Sequence, residues 1–197
     1  SIYRRSRRMH KLPCFYLLSK FNKHKELKEK VLREINNVEV NSLVQNSDYY
    51  TDNINRVDWD QCTNFERPWV KHLLKDLMIH FETQFNQIGY KTVMLYQLWF
   101  QQYFKDGTHG WHIHGHNFTG VYYLDFDKTS PKTELVYPFE NNKKITVEAK
   151  EGDIVIFPSF VIHRAPKVLN DKTKTIISFN LSLKDIMDNK VRELNDL

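Results

Sequence analysis

Cysteine is nearly absent: Cys14 and Cys62 are the only two in 197 residues. Two cysteines build neither a disulfide framework nor a cysteine-rich zinc site, and a reducing, cytoplasmic setting is the simplest expectation. Long hydrophobic runs are missing too. None approaches the roughly 20 apolar residues that cross a bilayer, so no membrane association is expected. The N-terminal "SIYRRSRRMHK" has no apolar stretch after its basic residues, so no secretory signal is visible. No internal repeat or low-complexity linker divides the chain.

What is present is an ordinary globular composition, 41% hydrophobic and 27% charged. The length suits one domain over 1–197 with a real core. Aromatics reach 14%, which favours sheets. The formal net charge is +5, much of it in an arm over 1–11 (Arg4, Arg5, Arg7, Arg8 and Lys11). A flexible, solvated basic tail is the expectation there, and contact with nucleic acid or another acidic partner is the alternative.

"LPCFYLLSKF" reads as a first strand. "NKHKELKEKVLREINN" reads as a helix capped by Asn22, with Leu27, Val31, Leu32 and Ile35 on one stripe. Residues 38–66 are polar and read as loop with at most a short strand. "RPWVKHLLKDLMIHFETQFNQIG" is the clearest helix, with Pro68 in its first turn and Gly89 at its end. His72 and His80 on it are too far apart to form a ligand pair and are expected at the surface or its boundary. After Gly89 the pattern becomes a succession of short strands, ending in a tail that suits a short helix. Helices followed by about seven strands predict a mainly β fold, an antiparallel sandwich or barrel with helices on one outer face.

Alternation separates the strand faces. Lys174, Ile176, Ser178 and Asn180 share one side of "KTIISFNL"; Thr175, Ile177, Phe179 and Leu181 share the greasier other. Trp99, Gln101 and Tyr103 share a side in "LWFQQYF". These polar and aromatic sides suit the lining of a pocket.

"GWHIHGHNFTGVYYL" places His112, His114 and His116 at alternate positions. Read as one strand, it aims three imidazoles the same way. A fourth, His163, opens a new strand after "GDIVIFPSFVI". Imidazole nitrogen suits iron, zinc, copper or nickel. Trp99, Trp111 and the Tyr122–Tyr123 pair are candidates for the walls of such a site.

"WHIHGHNFTGVYYL", "GDIVIFPSFVIHRAPKV" and "KTIISFN", in this order, resemble the iron(II)- and 2-oxoglutarate-dependent oxygenase superfamily, and within it a small phage and bacterial branch. The likeness runs from about Trp99 to Leu183. It implies a distorted double-stranded β-helix, a cupin-like jelly roll, with its core over 90–183. It also implies Fe(2+), the small-molecule co-substrate 2-oxoglutarate, and O2. The superfamily's H-x-D/E pair falls on His112 and His114, and its distal histidine on His163. Its basic anchor for the far carboxylate of 2-oxoglutarate falls on Lys174, with Ser178 on the same face and Tyr103 as a second donor.

The sequence departs from the family in two places. Lys174 stands where most of the branch has arginine, and it lacks arginine's bidentate fork. His114 stands where a carboxylate is usual. Three neutral imidazoles leave a divalent ion at +2, which the 2-oxoglutarate dianion would balance, so weaker iron retention is expected without it. His116 is the alternate ligand, pairing with His114. Asp106, six residues before His112, is the alternate carboxylate. Gly115 favours the earlier pair by breaking the strand.

The resemblance implies oxidative decarboxylation to succinate and CO2 coupled to hydroxylation of a primary substrate. Peptide, amino acid, nucleobase and small metabolite all stay open. A three-histidine cupin-type dioxygenase that does not use 2-oxoglutarate is the competing enzyme reading. A non-catalytic jelly-roll metal- or ligand-binding protein is the reading from another class.

Overall fold

The computed structural model describes residues 12–40, 42–46, 51–137 and 140–197. The basic arm expected over 1–11 lies outside them. In chain order the strands are β1 (Leu17–Lys20), β2 (Leu43–Asn46), β3 (Thr51–Ile54), β4 (Arg56–Val57), β5 (Tyr90–Tyr103) and β6 (His109–His112). They continue with β7 (Phe118–Asp125), β8 (Glu134–Tyr137), β9 (Lys143–Thr146), β10 (Asp153–Pro158), β11 (His163–Ala165) and β12 (Lys174–Ile186). The helices are α1 (His24–Asn36), α2 (Pro68–Asn86) and α3 (Asp188–Asn195), and a short 3-10 turn covers Trp59–Gln61.

Two antiparallel sheets face each other, ordered β1-β10-β7-β12-β5-β4 and β6-β11-β8-β9, with β2 and β3 as a separate hairpin. This is the expected jelly roll. Its spine is β5 paired along nearly its whole length with β12.

The period of two decides which core each residue joins. Leu98, Phe100, Ile177, Phe179 and Leu181 meet the helices, where Trp69, Phe81 and Phe85 are fully buried. Each such large side chain contributes about 1.5–3 kcal/mol of burial. On the opposite face Tyr103, Val121, Phe157 and Ile176 pack between the sheets.

Four expectations need correction. α1 begins without a side-chain cap: Lys23, not Asn22, holds the cap position. The Lys23 backbone carbonyl instead accepts from Leu27 N at 3.0 Å. Residues 38–66 hold more than loop, because β2, β3, β4 and the 3-10 turn all lie there. Their strands arise from pairing with each other and with β5, which leaves no alternating pattern in the sequence. His80 is buried rather than peripheral, 8% exposed, with Nε2 2.8 Å from Ser19 Oγ. Burial lowers its pKa to about 4. Finally, "GWHIHGHNFTGVYYL" is two strands, not one. β6 ends at His112, β7 starts at Phe118, and the two belong to different sheets.

The corner between them is fastened by Asn117. Its N–H donates to Leu181 O at 3.1 Å and its carbonyl accepts from Ser159 N at 3.0 Å. Its side-chain oxygen accepts from Leu183 N at 2.8 Å.

Candidate metal centre

Antiparallel pairing of β6 with β11 sets His112 directly opposite His163. Their ring centroids are 4.1 Å apart. His114 comes from the corner just past β6, where its N–H donates to Ser159 O at 3.0 Å. Its ring stacks on His163 at 5.0 Å and on Trp99 at 5.9 Å. One ligand atom from each of His112, His114 and His163 lies within 4.8 Å of the others. Among the described residues no carboxylate joins this group.

Hydrogen bonds choose the tautomers. His112 Nδ1–H donates to Gly110 O at 2.7 Å, and His163 Nδ1–H to Val161 O at 2.8 Å. Each leaves Nε2 as a lone pair, the usual arrangement of a metal-bound histidine and its backbone partner. His114 has a different support. Asn180 is 2% exposed, and its amide nitrogen donates to Gln97 Oε1 at 2.6 Å. Its Oδ1 has no hydrogen-bond partner among the described residues, and Asn180 interacts with the His114 ring.

All three imidazoles are held neutral. Burial, then the neighbouring His112, depresses His114 to about 3. Burial lowers His112. Burial, followed by His112 and His114, lowers His163 well below the ordinary value. Protons therefore compete little for these nitrogens near neutral pH. Three neutral, converging imidazoles with oriented tautomers fit a divalent transition-metal ion.

The cluster stands between two spaces. A narrow inner pocket reaches between the sheets past Trp99, Thr119 and Ser178. An open cleft of about 930 Å³ lies outside, walled by Trp59, Trp99, Ile113, His116 and Gln97. No Asp, Glu, Lys or Arg is among the described residues that line the cleft.

The remaining candidates separate. His116 turns away with φ 63° and stacks on Tyr96 at 4.6 Å, so it does not join the cluster. Asp106 sits in its turn with φ 67°, its N–H on Val168 O at 2.8 Å, and is not in the group either. Trp111 lies under the Arg164 guanidinium. Tyr122 packs on the helix side and Tyr123 in the inter-sheet core. None of these three lines the inner pocket or the cleft; Trp99 lines both.

Lys174 is fully buried. Its Nζ donates to Pro131 O at 3.1 Å and stands 5.1 Å from the Tyr103 ring centroid, beyond the residues that line the inner pocket. Tyr103 O–H donates to Gln101 Oε1 at 3.0 Å, and Ser178 Oγ approaches the same oxygen at 3.4 Å.

Two residues near the cluster carried no signal in the sequence. His109 stacks on His112 with centroids 3.7 Å apart and planes 15° apart. Asp52, 4% exposed, lies behind it. His109 sits at odd spacing from His112, His114 and His116, and Asp52 lies in a stretch that reads as loop. Only the three-dimensional pairing brings them here.

A family model described as "Putative 2OG-Fe(II) oxygenase" matches residues 97–180. No curated protein matches the chain. Among solved structures, an oxidoreductase of the 2OG-Fe(II) oxygenase family from Burkholderia pseudomallei is similar, at 12% identity and TM-score 0.66, over 88% of this chain and 87% of that one. A Pseudomonas putida prolyl-4-hydroxylase is similar at 13% identity and TM-score 0.59, over 87% and 94%. A viral collagen prolyl hydroxylase from Paramecium bursaria Chlorella virus-1 is similar at 14% identity and TM-score 0.56, over 85% and 95%. At such identities the structural likeness speaks for the fold alone. The matched segment holds His112, His114, His163 and Lys174, so the stretch that carries the histidine cluster is the part of the chain similar to the 2OG-Fe(II) oxygenase family.

Proposed function

We propose that the protein is an iron(II)- and 2-oxoglutarate-dependent dioxygenase that hydroxylates a primary substrate. The observation that carries this reading is the convergence of His112, His114 and His163 inside the segment matched by the oxygenase model. When bound, iron(II), 2-oxoglutarate and dioxygen would supply oxidative decarboxylation to succinate and CO2, with one oxygen atom going to the substrate.

The chain's own residues do the rest. His112, His114 and His163 would hold the ion, with Gly110 O and Val161 O keeping the His112 and His163 rings aimed. Lys174 offers the buried charge for the far carboxylate of 2-oxoglutarate, assisted by Tyr103 and Ser178. Reaching it requires Nζ to share or release Pro131 O. Trp99 stacks on the ring of His114 and limits its movement. The cleft, lacking charged walls among its described residues, suits an uncharged part of the substrate, whether in a peptide, amino acid, nucleobase or metabolite.

One observation favours a second reading, a three-histidine dioxygenase without 2-oxoglutarate. The inner pocket is narrow and Lys174 is not on its wall. A single experiment separates the two. The protein is loaded anaerobically with iron(II) and then exposed to oxygen, with and without 2-oxoglutarate, across substrate classes. Succinate formation that requires 2-oxoglutarate is expected. Oxygen consumption with substrate but without 2-oxoglutarate points to the second reading. A loaded protein that makes no succinate with any substrate class overturns the first.

A further inference from the structure

Asp52 stands where the structure gives a carboxylate little reason to be. It is 4% exposed, and a buried charge is costly unless another charge answers it. Its Oδ1 accepts from Gly110 N at 2.8 Å. Its Oδ2 faces His109 Nε2 at 3.7 Å. No lysine or arginine pairs with it among the described residues.

Both contacts lead to the cluster. Gly110, held by Asp52 through its N–H, presents the carbonyl that orients His112. His109, held between Asp52 and Gln101 (Nε2 to His109 Nδ1, 3.5 Å), lies flat on the His112 ring. The carboxylate is therefore one imidazole layer behind a ligand of a centre that has no carboxylate of its own.

We propose that Asp52 is the counter-charge of the three-histidine centre, set behind His109 to offset the carboxylate that position 114 lacks. Three neutral imidazoles leave a divalent ion uncompensated within the protein. In a partly dry interior an anion that does not touch the metal still stabilises it, because Coulomb interactions there are weakly screened. Asp52 is a positioning and charge-balancing residue, not a ligand. The proposal rests on the metal-binding reading above.

The test is Co(II) affinity of the full chain, measured by visible absorbance against a competing chelator. Asp52→Asn keeps an oxygen for Gly110 N and removes only the charge. Asp52→Ser is a second neutral variant should the first fold poorly. Either is expected to weaken Co(II) binding roughly 10- to 100-fold, the range for outer partners of metal ligands. Asp52→Glu, which keeps the charge, is expected to lose much less.

The decisive arm repeats Asp52→Asn in a His114→Asp background. With a carboxylate restored at the metal, the loss is expected to shrink to a few-fold. Unchanged affinity in Asp52→Asn overturns the proposal. So does an equal loss in both backgrounds, which would mark a purely structural contact. A failure of the unaltered chain to bind Co(II) at all overturns the metal reading itself, a result distinct from either.

Discussion

Lys174 carries its amine where water does not reach. It is fully buried, its amine donates to the Pro131 carbonyl, and burial lowers its pKa to about 7. In the unfolded chain a lysine releases its proton near pH ~10.4. Between those values the unfolded state holds more protons than the folded one. Stability contributed at this position therefore rises as pH climbs from about 7 toward 10, and the full cost of the buried ammonium is present below about 7. Replacing the charge by an apolar stem, as in Lys174→Met, is predicted to raise the thermal midpoint of the apo protein at pH 6. If Lys174 also anchors 2-oxoglutarate, the co-substrate needs the protonated form. Its affinity is then predicted to fall toward tenfold per pH unit above about 7. Binding should take up a proton, which calorimetry in two buffers of different ionisation enthalpy detects. Affinity that stays flat from pH 6 to pH 9 would place the anchor elsewhere.

Gly120, in the middle of β7, shows how an element constrains the site. A Cβ there would lie 2.1 Å from Val155 O and 2.5 Å from the Phe179 ring. The carbonyl belongs to the paired strand β10 and cannot swing aside. Gly120→Ala is therefore predicted to destabilise the fold by about 1–3 kcal/mol or more, read as a lower urea midpoint, although it touches no ligand. The "GVYYL" strand and its neighbours are legible as short apolar and aromatic runs between turns, and they are buried on both faces. α2 was legible because its apolar stripe repeats at helical spacing. His163 was legible because it opens a strand after a turn. Alternate spacing alone would align His112, His114 and His116, but the chain leaves β6 after His112 and enters β7 only at Phe118, so His116 drops out, in line with the break expected at Gly115. Asp52, His109 and Asp58 were not legible, because polar residues buried by distant partners leave no periodic trace. Asp58 is the clearest case, 1% exposed. Its carboxylate accepts from Arg67 Nη1 at 2.6 Å, Trp69 Nε1 at 2.9 Å and Phe100 N at 2.8 Å. It thus ties the 3-10 turn, the start of α2 and β5 together.

At the scale of the whole molecule, the histidine cluster depends on the small sheet. Its β6–β11 pair supplies His112 and His163 through only a short ladder with a register shift, while the large sheet rests on the long β5–β12 pair and on the helices. An ion that joins His112, His163 and His114 ties the small sheet to the corner that leads into β7. Such an ion binds the folded chain and not a dispersed set of histidines. It should therefore stabilise the protein by about 2.7 kcal/mol when present at a hundredfold excess over its dissociation constant. For a chain of this size that corresponds to a rise of roughly 5–10 °C in thermal midpoint. Differential scanning measurements in chelator and in Co(II) check this. His163→Ala is expected to abolish the rise, and His116→Ala to leave it intact, because His116 stacks on Tyr96 outside the cluster. A rise that survives His163→Ala but disappears with His116→Ala would relocate the ion to the outer cleft and undo the ligand set of His112, His114 and His163.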